Sequence, residues 1–77
     1  MKIRKNFLEG VEQKVFIYEN KKEEFFVIAV PDIQWSYSFT YEEEHMQTKL
    51  MQSLKERIAS ETAEILSSRI LQWTAEM

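Results

Sequence analysis

The longest uninterrupted apolar run in the chain is residues 25–30, Phe-Phe-Val-Ile-Ala-Val. Six residues are too few for a membrane-spanning helix, which needs about 20, and too few for a typical independent helix. A strand with one wet side alternates apolar and polar residues, so an apolar residue at every position predicts a central strand buried on both faces. The rest of the chain must therefore cover two faces.

The chain has 77 residues, enough for one small domain. A core of that size rarely gives more than about 3 to 5 kcal/mol of stability, so small domains often add a disulfide, a metal or a partner chain. The sequence contains no cysteine, which excludes disulfides and thiolate zinc sites. We therefore expect self-association to add stability.

The charge balance is slightly acidic, with a net charge of -3. This sign is wrong for binding a phosphate backbone. Residues 1–6 resemble the charged start of a signal peptide, but no apolar segment of about 7 to 15 residues follows them. We expect a cytoplasmic protein that does not bind membranes.

Four segments have the patterns of β-strands separated by turns. Residues 2–8 alternate around basic side chains, which is typical of a guarded edge strand. Gly10, preceded by Glu9, and Asn20 lie where turns need a left-handed residue, and Pro31 ends the third strand. The sequence predicts an antiparallel β-meander with strands at about residues 2–8, 12–19, 24–30 and 34–39.

The second hairpin predicts which side chains share a face. If residues 21–22 form its loop, Ile17 lies opposite Phe26 and Val15 opposite Ile28. The other face then carries Phe16, Tyr18, Phe25 and Val27.

The first hairpin leaves two registers open. A two-residue loop places Ile3 and Phe7 on the side of Phe16, whereas a three-residue loop places them on the side of Val15.

Residues 41–77 contain neither glycine nor proline and are predicted to be helical. Thr40 and Glu43 fit a capping box at the start. The apolar stripe changes phase near residues 59–62, where Ser60 is a candidate N-cap, so we predict helices at about 41–59 and 61–76. One long kinked helix is the alternative. Either way, we predict an α+β fold with the helices packed on one sheet face.

One pattern is a candidate site of chemistry. Glu42-x-x-His45 has the i, i+3 spacing of di-iron bundles, but those sites use the motif twice, and His45 is the one histidine of the sequence. No serine elbow or phosphate loop is present. We therefore predict no catalytic, cofactor-binding or metal-binding residues, and no enzyme activity.

Two helices cover only one face of the predicted sheet. The apolar side chains of the opposite face would then remain exposed, and contiguous exposed apolar surface usually marks a protein interface. The residues predicted to form that interface are Phe16, Tyr18, Phe25, Val27 and Trp73. The alternative is a monomer whose helices divide between the two faces.

Three strings carry a family resemblance: residues 17–24 (IYENKKEE), residues 28–31 (IAVP) with Trp35-Ser36 beyond, and residues 70–73 (ILQW). With these strings the chain resembles the YueH-like family of small bacterial proteins along nearly its whole length. The resemblance implies a bacterial cytoplasmic setting and carries over no assigned activity and no site residue.

The sequence thus favours a small non-enzymatic interaction or regulatory domain that forms a homodimer or binds another protein, with no small-molecule substrate implied. The alternative hypothesis is a nucleic-acid-associated regulator that uses the basic first strand and the aromatic residues from Trp35 to Tyr41.

Overall fold

The computed structural model describes residues 1–8 and 10–77. It confirms the α+β class, with a four-stranded antiparallel sheet followed by two α-helices. A 3-10 helix over Pro31–Ile33 joins the third and fourth strands. The chain divides into two compact units, Met1–Glu43 and Glu44–Met77. The elements are β1 (Lys2–Leu8), β2 (Val11–Asn20), β3 (Phe25–Val30), β4 (Trp35–Thr40), α1 (Met46–Leu54) and α2 (Ser60–Glu76).

The strands lie in sequence order, β1-β2-β3-β4, as predicted for a meander. Leu8 pairs with Val11, so the first hairpin has the two-residue connection. Glu9, one half of the predicted turn, lies outside the described residues. Gly10 has a φ of 79°, a left-handed conformation that glycine adopts without steric cost. This register resolves the open alternative, because Ile3 lies opposite Phe16.

The second hairpin is longer than predicted. Asn20 pairs with Phe25, so four residues, 21–24, form the turn. The Asn20 side chain stabilises it by accepting a hydrogen bond from the Glu23 amide at 3.0 Å. Ile17 therefore lies opposite Ile28, and the predicted pairing with Phe26 is wrong. A shift of two residues keeps every side chain on its face, so the predicted grouping is correct.

One sheet face, the Ile17 face, is buried. Seven of its apolar residues have at most 8% of their surface exposed: Val15, Ile17, Phe26, Ile28, Val30, Trp35 and Phe39. These seven come from β2, β3 and β4, where each alternates with a residue of the other face. Val11, at the start of β2 on the same side, exposes 61%. In β4 the aromatic residues lie on this face, and Ser36, Ser38 and Thr40 lie on the other.

The opposite face, the Phe16 face, is only partly covered. Its apolar members are Ile3, Phe7, Phe16, Tyr18, Phe25, Val27 and Ala29. The residues of β3 on this face are half-buried, while those of the Ile17 face are fully buried. The prediction that β3 is buried on both faces is therefore wrong for this chain. Its apolar run reflects one buried face and one face that remains accessible.

The first helix begins at Met46 rather than at Tyr41. Tyr41 is held in a continuation of β4, because its amide donates to the Glu24 carbonyl at 3.0 Å. Glu43 reaches the Thr40 amide at 3.3 Å as a capping box requires, but no helix follows this contact. His45, with a left-handed φ of 60°, precedes α1 instead.

The second unit is a pair of helices in contact. The predicted break is present, since α1 ends at Leu54 and α2 begins at Ser60, although Ala59 rather than Ser60 occupies the N-cap position. The Gln47 side chain links the helices by donating to Ser67 Oγ at 2.8 Å and Ser68 Oγ at 3.0 Å.

Candidate interaction surface

Apart from Phe7, the apolar side chains of the Phe16 face form one contiguous set, and the paired residues Lys5 and Lys14 lie between Phe7 and the others. Phe16 on β2 lies opposite Ile3 on β1 and Ala29 on β3. One step along the strands, Tyr18 lies opposite Val27. These pairs bring residues from three strands within side-chain reach, since directly opposite Cβ atoms lie about 4.5 to 5.5 Å apart.

Tyr18 and Phe25 join the two central strands on this face. Their ring centroids are 6.1 Å apart at an interplanar angle of 60°, an edge-to-face contact. The Tyr18 side chain still exposes 40% of its surface, and Phe25 is half-buried. The contact therefore orders the rings without removing them from water.

The first strand adds the most exposed members. Phe7 exposes 64% of its surface and Ile3 exposes 55%. Since a large aromatic ring buries about 150 to 250 Å², the exposed parts of Phe7 and Tyr18 alone amount to roughly 200 Å². With Ile3 and the half-buried members, the apolar side chains of this face expose on the order of 400 Å² in total.

Polar groups border the apolar set on two sides. Along β4, the residues that share the Phe16 face carry hydroxyl groups: Ser36, Ser38 and Thr40. Near the first hairpin, Lys5 Nζ lies 3.6 Å from Glu12 Oε1, and both side chains are exposed. An apolar centre with a polar rim is the usual composition of a protein interface.

Two shallow depressions flank the face. One, of about 390 Å³, is lined by Phe16 and by Glu12, Lys14, Pro31 and Asp32. The other, of about 290 Å³, lies beside Phe25 and is lined also by Glu23, Ser38, Phe39, Thr40 and Glu43. The first brings two carboxylates and a lysine together and the second brings two carboxylates together, and no histidine lines either depression.

Tyr41 fixes the end of the sheet at the second hairpin. Its hydroxyl donates a hydrogen bond to the Glu19 carboxylate. Its ring packs against Phe26, with 5.2 Å between centroids. The hydrogen bond to Glu19, followed by desolvation and the negative charges of Glu19 and Glu24, raises the pKa of Tyr41 to about 12. This cluster supports the frame on which the Phe16 face is built.

The structure brings together four of the five predicted interface residues, namely Phe16, Tyr18, Phe25 and Val27. Trp73 lies on α2 in the second unit, where it is half-buried. Sequence reasoning left Ile3 and Phe7 undecided, because their face depended on the length of the first turn. The two-residue connection adds both to the surface.

The Glu42-x-x-His45 pattern does not lie on a helix. Both residues precede α1, and His45 has left-handed backbone angles. The i, i+3 geometry of a helical metal site is therefore missing at this pattern. Among residues 1–8 and 10–77, no group of three or more histidine, cysteine, aspartate or glutamate side chains is arranged to hold a metal ion.

The aromatic residues of β4 are turned toward the Ile17 face. Trp35 and Phe39 each expose only 6% of their surface. The Trp35 ring stacks on Tyr37 at 6.2 Å and 20°, and Phe39 packs on Phe26 at 5.4 Å. A base stacks only on an accessible ring, and of the aromatic residues from Trp35 to Tyr41 these two are buried.

Comparison with protein families identifies the chain. A family model described as "YueH-like protein" matches residues 2–76. The chain belongs to the YueH-like family. A curated relative of this YueH-like chain, "Uncharacterized protein YueH" of Bacillus subtilis (strain 168), is 35% identical over 82 residues, and the alignment covers all of both chains. The resemblance inferred from sequence is thereby confirmed.

Comparison with solved structures gives no significant match to this YueH-like chain. In the described part of the chain, no helix combines the length and the apolar character needed to cross a membrane.

Proposed function

We propose that this YueH-like chain is a non-enzymatic protein-interaction domain that associates with a second copy of itself through the Phe16 face. The observation that carries the proposal is the exposure of Ile3, Phe7 and Tyr18 beside four half-buried apolar neighbours on one sheet face. Leaving such a surface in water forgoes about 25 cal/mol for every Å² that a partner would bury.

The size of the surface suits a protein partner. Interfaces are about 56 to 58% apolar, so an apolar area of roughly 400 Å² corresponds to about 700 Å² per partner once the rim is included. A standard interface buries about 800 Å² per partner. The rim of hydroxyl groups and the Lys5–Glu12 pair can remain hydrated at the edge of such a contact.

Self-association would also add to the limited stability that is expected of a small domain. The buried apolar residues of the sheet lie on the Ile17 face. Most of the apolar surface of the sheet that is still accessible to a partner lies on the Phe16 face. Binding of a second copy stabilises the folded state by mass action, provided that the unfolded chain does not bind. The cytoplasmic setting and a contact role for Trp73 belong to the same proposal.

Sedimentation equilibrium of the wild type and the Phe16→Glu variant tests the proposal. Phe16 lies at the centre of the apolar set, so a carboxylate there opposes association while the sheet remains free to form. We expect a larger assembly mass for the wild type than for Phe16→Glu, in which the contact through the Phe16 face is lost. Gln52→Glu makes the same change in net charge at an exposed position of α1 and should keep the wild-type mass.

Circular dichroism of each variant separates loss of association from loss of folding. A monomeric wild type at about millimolar concentration contradicts the proposal, because even weak specific contacts are populated at that concentration. If a folded Phe16→Glu variant has the same assembly mass as the wild type, the assignment to the Phe16 face is wrong.

A further inference from the structure

The outer edge of β4 differs from the outer edge of β1. The β4 sequence, Trp-Ser-Tyr-Ser-Phe-Thr, contains no charged residue and no proline. In contrast, β1 carries three basic residues, Lys2, Arg4 and Lys5. Charges and prolines are the usual means by which edge strands avoid pairing with other chains. Within its own sequence, β4 therefore lacks the charged protection that β1 carries.

The register identifies the backbone groups that face outward along β4. Tyr41 donates its amide to Glu24 on the β3 side. Residues of an antiparallel strand alternate in direction, so Trp35, Tyr37 and Phe39 also direct their amides and carbonyls to β3. The remaining residues of β4 direct theirs away from the sheet. These are Ser36, Ser38 and Thr40.

Neighbouring segments occupy the two ends of this edge. At one end, the Thr40 amide donates to the Glu43 carboxylate, and the Thr40 carbonyl accepts from the Glu43 amide, each at 3.3 Å. At the other end, the amide of Gln34 donates to the Pro31 carbonyl at 2.9 Å. Within the described residues, the outward amides and carbonyls of Ser36 and Ser38 have no such partner.

We propose that a second copy of the chain pairs with this edge, β4 against β4 and antiparallel, with Ser36 opposite the partner's Ser38. In this register a two-fold axis passes beside Tyr37, and each Ser36–Ser38 pair makes two backbone hydrogen bonds. Four backbone hydrogen bonds form in total. In each copy they use the outward amide and carbonyl of Ser36 and of Ser38 once each. Registers shifted by two residues would compete with the Glu43 or the Pro31 contact.

The side chains are compatible with this self-pairing. On the Phe16 face, small hydroxyl side chains oppose each other. On the Ile17 face, Trp35 lies opposite the partner's Phe39, a favourable class of cross-strand pair. No like charges meet, whereas the same pairing at β1 would bring basic residues together. A second copy is therefore the occupant that this edge fits.

This contact is distinct from the face-to-face contact proposed above. Pairing along β4 extends each four-stranded sheet into one of eight strands and leaves both Phe16 faces on the same side. Formation of either contact alone would give a dimer, and formation of both would give an assembly larger than a dimer. The two contacts can therefore be tested separately.

Amide hydrogen exchange of the wild type at several concentrations tests the edge contact. When most of the protein is dimeric, the monomer fraction falls with the square root of concentration, so a hundredfold increase should slow exchange at Ser36 and Ser38 by about tenfold. Lys5, whose amide faces outward on β1 by the same alternation, is the internal control and should not change. Exchange at Ser36 and Ser38 that does not depend on concentration overturns the proposal.

Two variants of Ser38 sharpen the test. Ser38→Pro removes an outward amide without touching the bonds to β3 and should abolish the protection of Ser36. Ser38→Ala keeps the amide of residue 38, so the protection of Ser36 should be retained. If folded Ser38→Pro keeps the concentration-dependent protection, the proposal is wrong. Phe16→Glu should leave that protection intact, so failure of the Phe16 face and failure of the edge give different results.

Discussion

The Tyr41 hydroxyl donates a hydrogen bond to Glu19 Oε2, while the Tyr41 ring lies against Phe26. Glu19 and Phe26 are opposite each other on β2 and β3, so Tyr41, which follows β4, reaches across β3 to β2. This contact holds residue 41 in the sheet unit and gives a physical reason why α1 does not begin there.

The Tyr41–Glu19 contact predicts a loss of stability at alkaline pH. The folded-state pKa of about 12 is above the ordinary value of 10.0. Above pH 10 the unfolded chain releases the phenol proton while the folded chain keeps it, so this contribution to stability is full below pH 10 and falls as the pH rises through 12. Tyr41→Phe lacks the phenol. Urea unfolding of both proteins at about pH 8 and about pH 11 should show the steeper loss in the wild type.

An equal loss of stability in both proteins contradicts this prediction. Comparison of the pH slopes, rather than of stability at one pH, removes the constant effect of losing the hydrogen bond in Tyr41→Phe.

Two neighbouring residues of β3 should respond differently to truncation. Ile28 is fully buried on the Ile17 face, so Ile28→Ala should reduce the free energy of unfolding by about 2 to 5 kcal/mol. Val27 is half-buried on the Phe16 face, so Val27→Ala should cost about 1 kcal/mol or less in the monomer. Denaturant unfolding at low protein concentration measures both. Equal costs would mean that the two faces are equally covered in the monomer.

The link between the helices should contribute measurably to stability. Gln47 donates to Ser67 at 2.8 Å, and Ser67 is fully buried. Gln47→Ala should therefore lower the free energy of unfolding by about 1 to 2 kcal/mol. Gln52→Ala, an exposed change on the same helix, should stay within about 0.5 kcal/mol of the wild type. Thermal or urea denaturation distinguishes them, and similar small effects of both changes would show that the link does not stabilise the helix pair.

The second hairpin contains an unfavourable backbone conformation at a residue with a side chain. Glu24 has a φ of 59°, a left-handed value that glycine adopts more easily. Its backbone carbonyl, which accepts from Tyr41, is unaffected by the side chain. Glu24→Gly should raise the midpoint of urea unfolding and the free energy of unfolding by up to about 1 kcal/mol. A decrease would show that the Glu24 side chain contributes more than the strain costs.

Much of the fold could be predicted from sequence, because the strand patterns are regular and each turn carries a recognisable residue. Strand order, the grouping of side chains and the break before Ser60 all followed from periodicity. The start of α1 could not be predicted, since the local pattern of Thr40 and Glu43 fits a capping box. The decisive contact, Tyr41 with Glu19, joins residues distant in sequence.

The candidate surface was predictable in part for a similar reason. Phe16 and Val27 share a face in every register that shifts by two residues, so their grouping is the same for the predicted two-residue turn and for the observed four-residue turn. The positions of Ile3 and Phe7 depended on a single residue of loop length. Periodicity also predicts burial on both sides of β3. Sequence alone does not distinguish an apolar side chain that is buried within the chain from one that remains accessible on its surface.

The central claim is that a second copy covers the Phe16 face, and isotope-filtered NMR of a mixed sample tests it most directly. In an equal mixture of isotopically labelled and unlabelled chains, we predict intermolecular contacts from the Ile3 and Val27 methyl groups to aromatic rings of the unlabelled copy. The fully buried methyl groups of Ile28 should show none. Absence of intermolecular contacts at Ile3 and Val27 in a sample whose mass is that of a dimer would contradict the account.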